Sequence, residues 1–527
     1  MPPEPADLQY GAFSDSPPWL VDPDAATWRR GLAAIRGKAR ADVPKLTTPP
    51  RWPPLGRLVL VVARIGSAVV RWLVVKRTRG PEAARAVISK RLRVAAEALG
   101  PTYIKLGQII SAGEGLFPAE LVAEFRLLRD RVPPEPFDTV RAVIEADLGR
   151  PIDHVFASID RTPLAAASIA QVHRATLVTG EDVVVKVQRP TVATRVRQDL
   201  RALAWLAPHL VGRIPVASLA NPPALVELFA ETISEELDFR LEAENMLDVA
   251  RVLVDLKQRG YVIPRPHPTL VTKRVLVMER LSGFAFDDVA GMKAAGVDTA
   301  AVIRTGMIAF MEGALIHGIF HGDLHGGNLF VMPDGRTALL DFGITGRLTQ
   351  PRRMAFLRLM LGATTNDVKT QLAALRDLGA LPMDTDLDAV ITDLRLDQDP
   401  IDPTTLSAEE LIGEIQRVVK ALIGYGARIP KELMLYVKNL VFLDGAIATL
   451  APDLDLLGEI ATVSMHFATA HGERLSRELG IDATSVEVDM AGWKGAFGVD
   501  QSTERLTYRE LQERRDLIRK RMSERQH

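Results

Sequence analysis

No cysteine occurs in the 527 residues, so disulfides, thiolate metal ligands and cysteine nucleophiles are excluded outright. A reducing compartment is compatible with that absence. A charge excess is missing too: 65 Lys and Arg stand against 66 Asp and Glu, a net charge of -1. That balance argues against a bulk polyanion binder, and no nucleic-acid partner is expected. The opening stretch MPPEPADLQYGAFSDSPPWL lacks the basic start and apolar run of a signal peptide. Its Pro, Asp and Ser content reads as a flexible lead. No internal repeat is evident.

An uninterrupted membrane span is also lacking. The nearest approach is RLVLVVARIGSAVVRWLVVKR, residues 57–77, where Arg57, Arg64 and Arg71 recur every seven residues. On a helix that spacing drifts only about 20° per step, so the three arginines form one stripe. Val59, Val62, Val69 and Leu73 fall on the opposite face. A spanning helix would carry two arginines inside its apolar stretch, at about 2.5 kcal/mol or more for a central one. An interfacial helix would let them reach headgroups, and a core-packed helix would leave one solvated stripe. A second apolar stretch, LYVKNLVFLDGAIATLAP (435–452), is interrupted by Lys438 and Asp444, which favours a soluble helix. The expected location is cytoplasmic, peripheral at a membrane.

With 47% hydrophobic and 25% charged residues, the chain has ample material for a core. Apolar residues three and four apart mark residues 80–150 as helical, as in ARAVISKRLRVAAEAL. Between 153 and 189 the texture changes to short β-branched runs, HVFASID, SIAQVHRATLV and EDVVVKVQ, which read as antiparallel strands. Helix returns from 190 to 256, RVLVMERLSG (274–283) reads as one more strand, and most of the remainder is helical. The expected divisions are a flexible lead (1–55), a helical extension (56–150), a strand-rich part with a helical insert (151–283), a helical part with two polar loops (284–480) and a charged tail (481–527).

Those polar loops carry the chemistry. HGDLHGGNLF (321–330) places Asp323 five residues before Asn328, and LLDFGITGRL (339–348) places Asp341 18 residues after Asp323. The order of parts, strands then a D-x4-N then a DFG, is that of a kinase-like site. There an aspartate orients the acceptor hydroxyl, and an asparagine and a second aspartate hold Mg²⁺ on the nucleotide phosphates. Hard oxygen ligands suit Mg²⁺. Lys186 stands in the apolar run EDVVVKVQ, where a buried lysine needs an anion. A snorkelling strand-edge lysine would look the same. Its candidate partner lies in EELDFRLEAEN (235–245), a helix so rich in acids that a solvated face is the simpler reading without context.

Glycine is lacking where a protein kinase would need it. In place of a G-x-G-x-x-G loop ahead of the lysine, Ala165, Ala166, Ala167 and Ser168 occur. Methyl groups restrict φ and prevent the close approach that glycine permits, so a phosphate cradle there would be tighter or displaced. This alanine-rich loop, with KLGQ (105–108), LRDRVPP (128–134) and ELDFRLEAEN, strongly resembles the UbiB/AarF atypical kinase family, continuously over about 95–350.

The resemblance implies an α+β, atypical protein-kinase-like bilobal fold with a helical N-terminal extension and a mostly helical C-terminal lobe. It implies Lys186 as the phosphate-binding lysine, Glu242 as its helix partner and Asp323 as the catalytic-loop aspartate. Asn328 and Asp341 become the metal ligands. Ala165 to Ser168, Lys186 and Glu279 are the expected nucleotide contacts. Lys105, Gly107 and Gln108 match the family's signature, which folds over the acceptor site, and Glu236 and Asp238 match the acidic pair facing it. One departure is plain: the family's S-x-R-x-D-x-x-P reads SAGEGLFP here, with Gly113 and Gly115 at the arginine and aspartate positions.

ATP (or ADP) and Mg²⁺ are the implied cofactors. An anionic membrane lipid or an isoprenoid or quinone-like molecule is the implied partner, within ubiquinone-type metabolism. Three activities remain open: an ATPase or atypical kinase acting with membrane lipids, a nucleotide-binding pseudokinase serving as a lipid chaperone, and an aminoglycoside- or choline-type phosphotransferase.

Overall fold

The computed structural model describes residues 13–15, 18–20, 22, 25–111, 119–128, 132–210, 222–396, 421, 424–427, 430–480, 489–491, 494 and 499–524. Gly113 and Gly115 lie outside these, as do residues 129–131 of the LRDRVPP stretch. The chain forms two compact units. The first comprises Met1–Arg251, Ile263–Leu281 and Leu340–Ile344; the second comprises Val252–Val262, Ser282–Leu339 and Thr345–His527.

The first unit begins with helices α1 (Leu32–Thr47), α2 (Leu55–Arg79), α3 (Pro81–Leu99), α4 (Pro101–Ser111), α5 (Ala119–Arg126) and α6 (Phe137–Leu148). Two Gly-Pro steps cut what would otherwise be one long helix into α2, α3 and α4. Gly80 and Gly100 take φ of 89° and 99°, and each is followed by a proline at the first helical position. A positive φ ends one helix at little cost to glycine, and the proline's fixed φ starts the next. Helix α2 packs on α3 and on α7 (Val192–Leu210). In α7, Asp199 is fully buried, and its carboxylate receives the Arg57 Nε at 2.5 Å. Arg57 also donates to the Leu99 carbonyl. Arg57 is thus taken out of the expected headgroup-facing stripe, while Arg64 and Arg71 remain exposed.

Strands β1 (Phe156–Ile159), β2 (Ala165–Ala166), β3 (Ala170–Leu177) and β4 (Asp182–Gln188) are antiparallel as expected, but not a simple meander, since β1 and β2 both pair with β3. Strand β5 (Tyr261–Val262) belongs to the second unit. Strands β6 (Pro266–Val271) and β7 (Val275–Glu279) complete a six-stranded sheet in the order β1-β3-β4-β7-β6, with β2 on β3. Val183, Val185 and Val187 face Val140, Val143 and Ile144 of α6 and form a dry core. Alternation along β4 then puts Lys186 on the other face, opposite Val172 and Leu276. Helices α8 (Pro222–Glu236) and α9 (Phe239–Asp255) lie between the sheet's two sequence segments.

The lead read as flexible is anchored at particular aromatic residues. Phe13 is buried with the Arg265 guanidinium over its ring, at 4.9 Å. Trp19 Nε1 donates to the Pro266 carbonyl at 3.1 Å, and Trp28 Nε1 donates to the His267 carbonyl at 3.3 Å. Aromatic residues in an otherwise polar stretch were the available sign of this docking.

The second unit is mainly helical. It contains β8 (Phe284–Ala285), α10 (Val289–Ala294), α11 (Thr299–Glu312), β9 (Ile319–His321), β10 (Leu329–Val331), β11 (Thr337–Leu339), β12 (Thr345–Arg347), α12 (Gln350–Thr364), α13 (Val368–Asp377) and α14 (Leu387–Leu394). Three further helices span Lys431–Leu450, Leu456–Leu479 and Tyr508–Glu524. Its sheets run β5-β11-β10-β8 and β12-β9, in strands of two or three residues, too short to show alternation in sequence. Phe310, Phe320, Phe356 and Tyr436 form one aromatic cluster, with ring centroids 4.7 to 6.0 Å apart. It fixes β9, and hence the loop that follows His321, against the helix Lys431–Leu450. Helices and sheets together make the class α+β.

Candidate active site

Within the first unit, the sheet and α9 bring three predicted residues together. Lys186 Nζ lies 2.7 Å from Glu242 Oε1 and 3.2 Å from Asp341 Oδ1. The Phe239 ring is 5.5 Å from the same ammonium. Glu242 sits in the first turn of α9, where the helix dipole favours an anion. Asn245, one turn on, donates from Nδ2 to the Phe342 carbonyl at 2.8 Å and so holds the DFG segment. Asp341 has φ of 56°, in the left-handed region. A non-glycine residue held there has a backbone cost that surrounding structure must offset, and such positions cluster at functional sites. The Gly343 N–H donates to Asp341 Oδ1 at 3.2 Å, which fixes the carboxylate.

The electrostatics separate the roles. Burial works against the Lys186 ammonium, but Asp341 and Glu242 outweigh it and hold the group above its usual value. Burial pushes the Glu242 carboxyl up to about 7, with Lys186 pulling the other way and Asp341 adding to the rise. Lys186 is therefore the fixed cation. Asp341 is the exposed carboxylate, about half accessible, and is the one able to meet a metal.

The KLGQ signature lies in α4. Lys105 Nζ is 3.3 Å from Glu236 Oε2 at the end of α8, both largely buried. Gly107 lies close under Leu128: a Cβ there would meet Leu128 Cδ1 at 2.2 Å, so a side chain at 107 would have to displace that of Leu128. The Gln108 carbonyl accepts from the Ser111 hydroxyl. Asp238 departs from expectation. Its carboxylate is taken by Arg240, at 2.9 Å to Nε and 2.7 Å to Nη2, two residues away in the chain.

The alanine loop is more strand than turn. Ala165 and Ala166 pair with Val172 and Gln171, and the Ala167 N–H donates to the Ala170 carbonyl. Ser168 is buried. Arg189, which sequence reasoning missed, donates to the Ala167 and Pro133 carbonyls at 3.0 and 2.9 Å and pairs with Glu135. Its signal was a charged residue following a buried strand. Glu279 is buried and occupied by Arg265, at 3.3 Å, and by the Ser14 hydroxyl. Burial raises its carboxyl above the usual range.

The second unit carries Asp323 and Asn328. The Asn328 Nδ2 donates to the Asp323 carbonyl at 3.1 Å, which leaves Oδ1 as the oxygen a hard cation would take. Fully buried Asn439 accepts from the Leu324 N–H at 3.0 Å and donates to the His321 carbonyl, so it clamps the loop from both sides. The Lys438 ammonium donates to Asp323 Oδ1. Lys438 is a functional candidate that the sequence reading took only as a polar break in an apolar helix.

These residues have the types and the chain order of a kinase-like site. Residues 127–375 match the family model described as the ABC1 atypical kinase-like domain. An uncharacterized protein of Mycobacterium tuberculosis is 37% identical over 68% of this chain and 74% of its own length. An uncharacterized aarF domain-containing protein kinase from Arabidopsis thaliana chloroplasts is 34% identical over 69% and 72%. A protein of Marinobacter nauticus named probable protein kinase UbiB is 33% identical over 69% and 67%. The chain belongs to the ABC1 (UbiB/AarF) atypical kinase-like family.

Proposed function

We propose that the chain is a MgATP-dependent atypical kinase or ATPase of bilobal kinase type, acting on isoprenoid or quinone-like lipid chemistry as a peripheral membrane protein. The observation that carries this reading is the Lys186–Glu242–Asp341 cluster, with Asp341 held in a left-handed backbone. Lys186 would take the phosphates, while Asp341 and Asn328 would hold Mg²⁺, which neutralises charge on the phosphates. Asp323 would accept the proton of an acceptor hydroxyl or water. The Lys105–Glu236 pair of the signature supports a small or lipid-like acceptor over a peptide, and it argues against the aminoglycoside type.

The test is a thermal shift with MgATP. A ligand that binds only the native state at 100 times its Kd stabilises by about 2.7 kcal/mol. Wild type should shift with MgATP, and Asp341→Asn, lacking one anionic metal ligand, should shift several-fold less at the same nucleotide concentration. An undiminished shift would remove Asp341 from the metal site.

Among the described residues, three helices are long and apolar enough to cross a membrane by length and composition: Leu55–Arg79, Thr299–His317 and Lys431–Leu450. Only 17% of the first window is buried, against 67% of the second. Along α2, Val59, Val62, Val70, Leu73 and Val74 are exposed beside Arg64 and Arg71, which supports an interfacial helix. Each basic residue near an anionic surface contributes about 1 kcal/mol, so Arg64→Gln with Arg71→Gln should weaken binding to anionic vesicles roughly thirtyfold. Arg57→Gln should behave differently. It strands buried Asp199 and should cost about 3–5 kcal/mol of stability with little change in vesicle affinity. Co-sedimentation and urea unfolding separate the two effects; equal behaviour of all three arginines would reject the assignment.

A further inference from the structure

A cluster in the second unit, among residues given no role above, joins Glu312 to two histidines of the helix Leu456–Leu479. His466 Nε2 lies 2.7 Å and His471 Nε2 lies 2.8 Å from the same carboxylate oxygen, Oε1 of Glu312. The other oxygen, Oε2, is buried and has no hydrogen-bond partner among the described residues, in a side chain 2% exposed. A carboxylate oxygen buried without a partner carries an uncompensated desolvation cost. Two imidazoles on one oxygen, with the second oxygen bare, make an incomplete hydrogen-bond arrangement.

We propose that Glu312, His466 and His471 form a binding site for a divalent transition-metal ion, Zn²⁺ in the first place. One ligand atom from each residue lies within 4.8 Å of the other two. Zinc binds histidine nitrogen at about 2.0–2.1 Å and carboxylate oxygen at about 2.0–2.2 Å. In tetrahedral geometry those bonds set neighbouring ligand atoms about 3.3 Å apart. The nitrogens would retreat from Oε1 by about half an ångström and settle at the same spacing from each other, starting from a separation within 4.8 Å. The donor set of two imidazoles and one carboxylate is the borderline kind that takes Zn²⁺ and discriminates against Mg²⁺. Three protein ligands leave a position for water, and His466, 36% exposed, offers an entry path.

The surroundings are compatible with a cation. Arg474, on the same helix, is turned to Glu478 at 3.2 Å and to the Ile316 carbonyl at 2.7 Å. Arg353 gives both terminal nitrogens to Glu478 as well. Glu312 is the last residue of α11, and a π-helical turn, Gly313–His317, follows it directly. Such wide turns are rare and recur at functional sites. The ion would clip the end of α11 to the helix Leu456–Leu479.

The experiment uses the tag-free full chain, equilibrated with ZnCl₂ in excess MgCl₂, then exchanged into metal-free buffer. About one Zn²⁺ per chain should remain by elemental analysis, and melting should rise with Zn²⁺ beyond the level reached with Mg²⁺ alone. Co²⁺ should give visible absorption bands that Zn²⁺ removes. Glu312→Gln keeps an acceptor for the histidines but loses the charge, and should lose the ion. His466→Gln, at a half-exposed position, should weaken Zn²⁺ at least tenfold while its MgATP response stays that of wild type. Asp341→Asn should retain full zinc content, which separates this site from the nucleotide site. Zinc content near zero in wild type, or wild-type content in both Glu312→Gln and His466→Gln, would overturn the proposal. Zinc lost only from Asp341→Asn would place the ion at the nucleotide site and overturn it equally.

Discussion

Replacing Lys186 by methionine is expected to destabilise the protein by about 3–5 kcal/mol and to abolish its melting response to MgATP. The side chain is 12% exposed and stands between two carboxylates, Glu242 at 2.7 Å and Asp341 at 3.2 Å. Removing the cation leaves Glu242, 4% exposed, beside another anion in a low-dielectric setting. Burial already pushes Glu242 up to about 7, so the orphaned carboxyl would take a proton rather than remain charged, which trims the penalty at low pH. The variant's deficit should therefore be larger at pH 8 than at pH 6. Glu242→Gln in the same chain should restore part of the stability, because the two losses share one interaction and cannot add. It should not restore the nucleotide response, since no cation then meets the phosphates. Urea unfolding with and without MgATP gives both readings. Strictly additive stability losses would mean that the pair contributes nothing jointly, and a retained MgATP shift would remove Lys186 from nucleotide binding.

How far the sequence carries depends on how local each signal is. Lys186 was legible in part: a lysine in an apolar strand points to an anion, but a snorkelling lysine looks the same, and the D-x4-N and DFG context was needed to decide. Glu242 was not legible from chemistry alone. It sits among Glu235, Glu236, Asp238 and Glu244, and only the family resemblance singled it out. Within the same run Asp238 went elsewhere, to Arg240, since an arginine two residues away reaches a carboxylate before a distant partner can. Arg57 shows the opposite limit. Its heptad spacing was real, but its partner Asp199 is 142 residues away, and no periodicity encodes that pairing. The short strands β8, β9, β10 and β12 were missed because two or three residues carry no alternation, whereas TALL before Asp341, the site of β11, is apolar enough to read as a buried strand. Lys438 and Asn439 were missed because a polar pair in an apolar helix reads as solvent exposure until the helix is seen to lie on the Asp323 loop.

That loop carries the other large effect. Asp323→Asn should lower MgATP hydrolysis by about 10²–10⁴, the range for loss of a positioned general base, with the MgATP melting shift largely kept. The loop itself should persist, since Asn439 and the Asn328–Asp323 backbone bond hold it without the carboxylate. Lys438 sharpens the test. Its ammonium donates to the Asp323 carboxylate, with the two side chains 22% and 15% exposed. On the proposed function it would fix the carboxylate's orientation and supply a positive charge beside the phosphoryl group as that group gains negative charge. Lys438→Met should therefore reduce turnover by about 10²–10³, near the loss expected for one preorganised charge-stabilising donor. Groups that act as a unit are not additive, so the double variant should be no slower than Asp323→Asn alone. Hydrolysis measured at saturating MgATP, with melting shifts as the binding control, distinguishes the cases. Wild-type turnover in Lys438→Met would return that lysine to the role of a polar break in an apolar helix, and a multiplicative double loss would mean the two side chains act at separate steps.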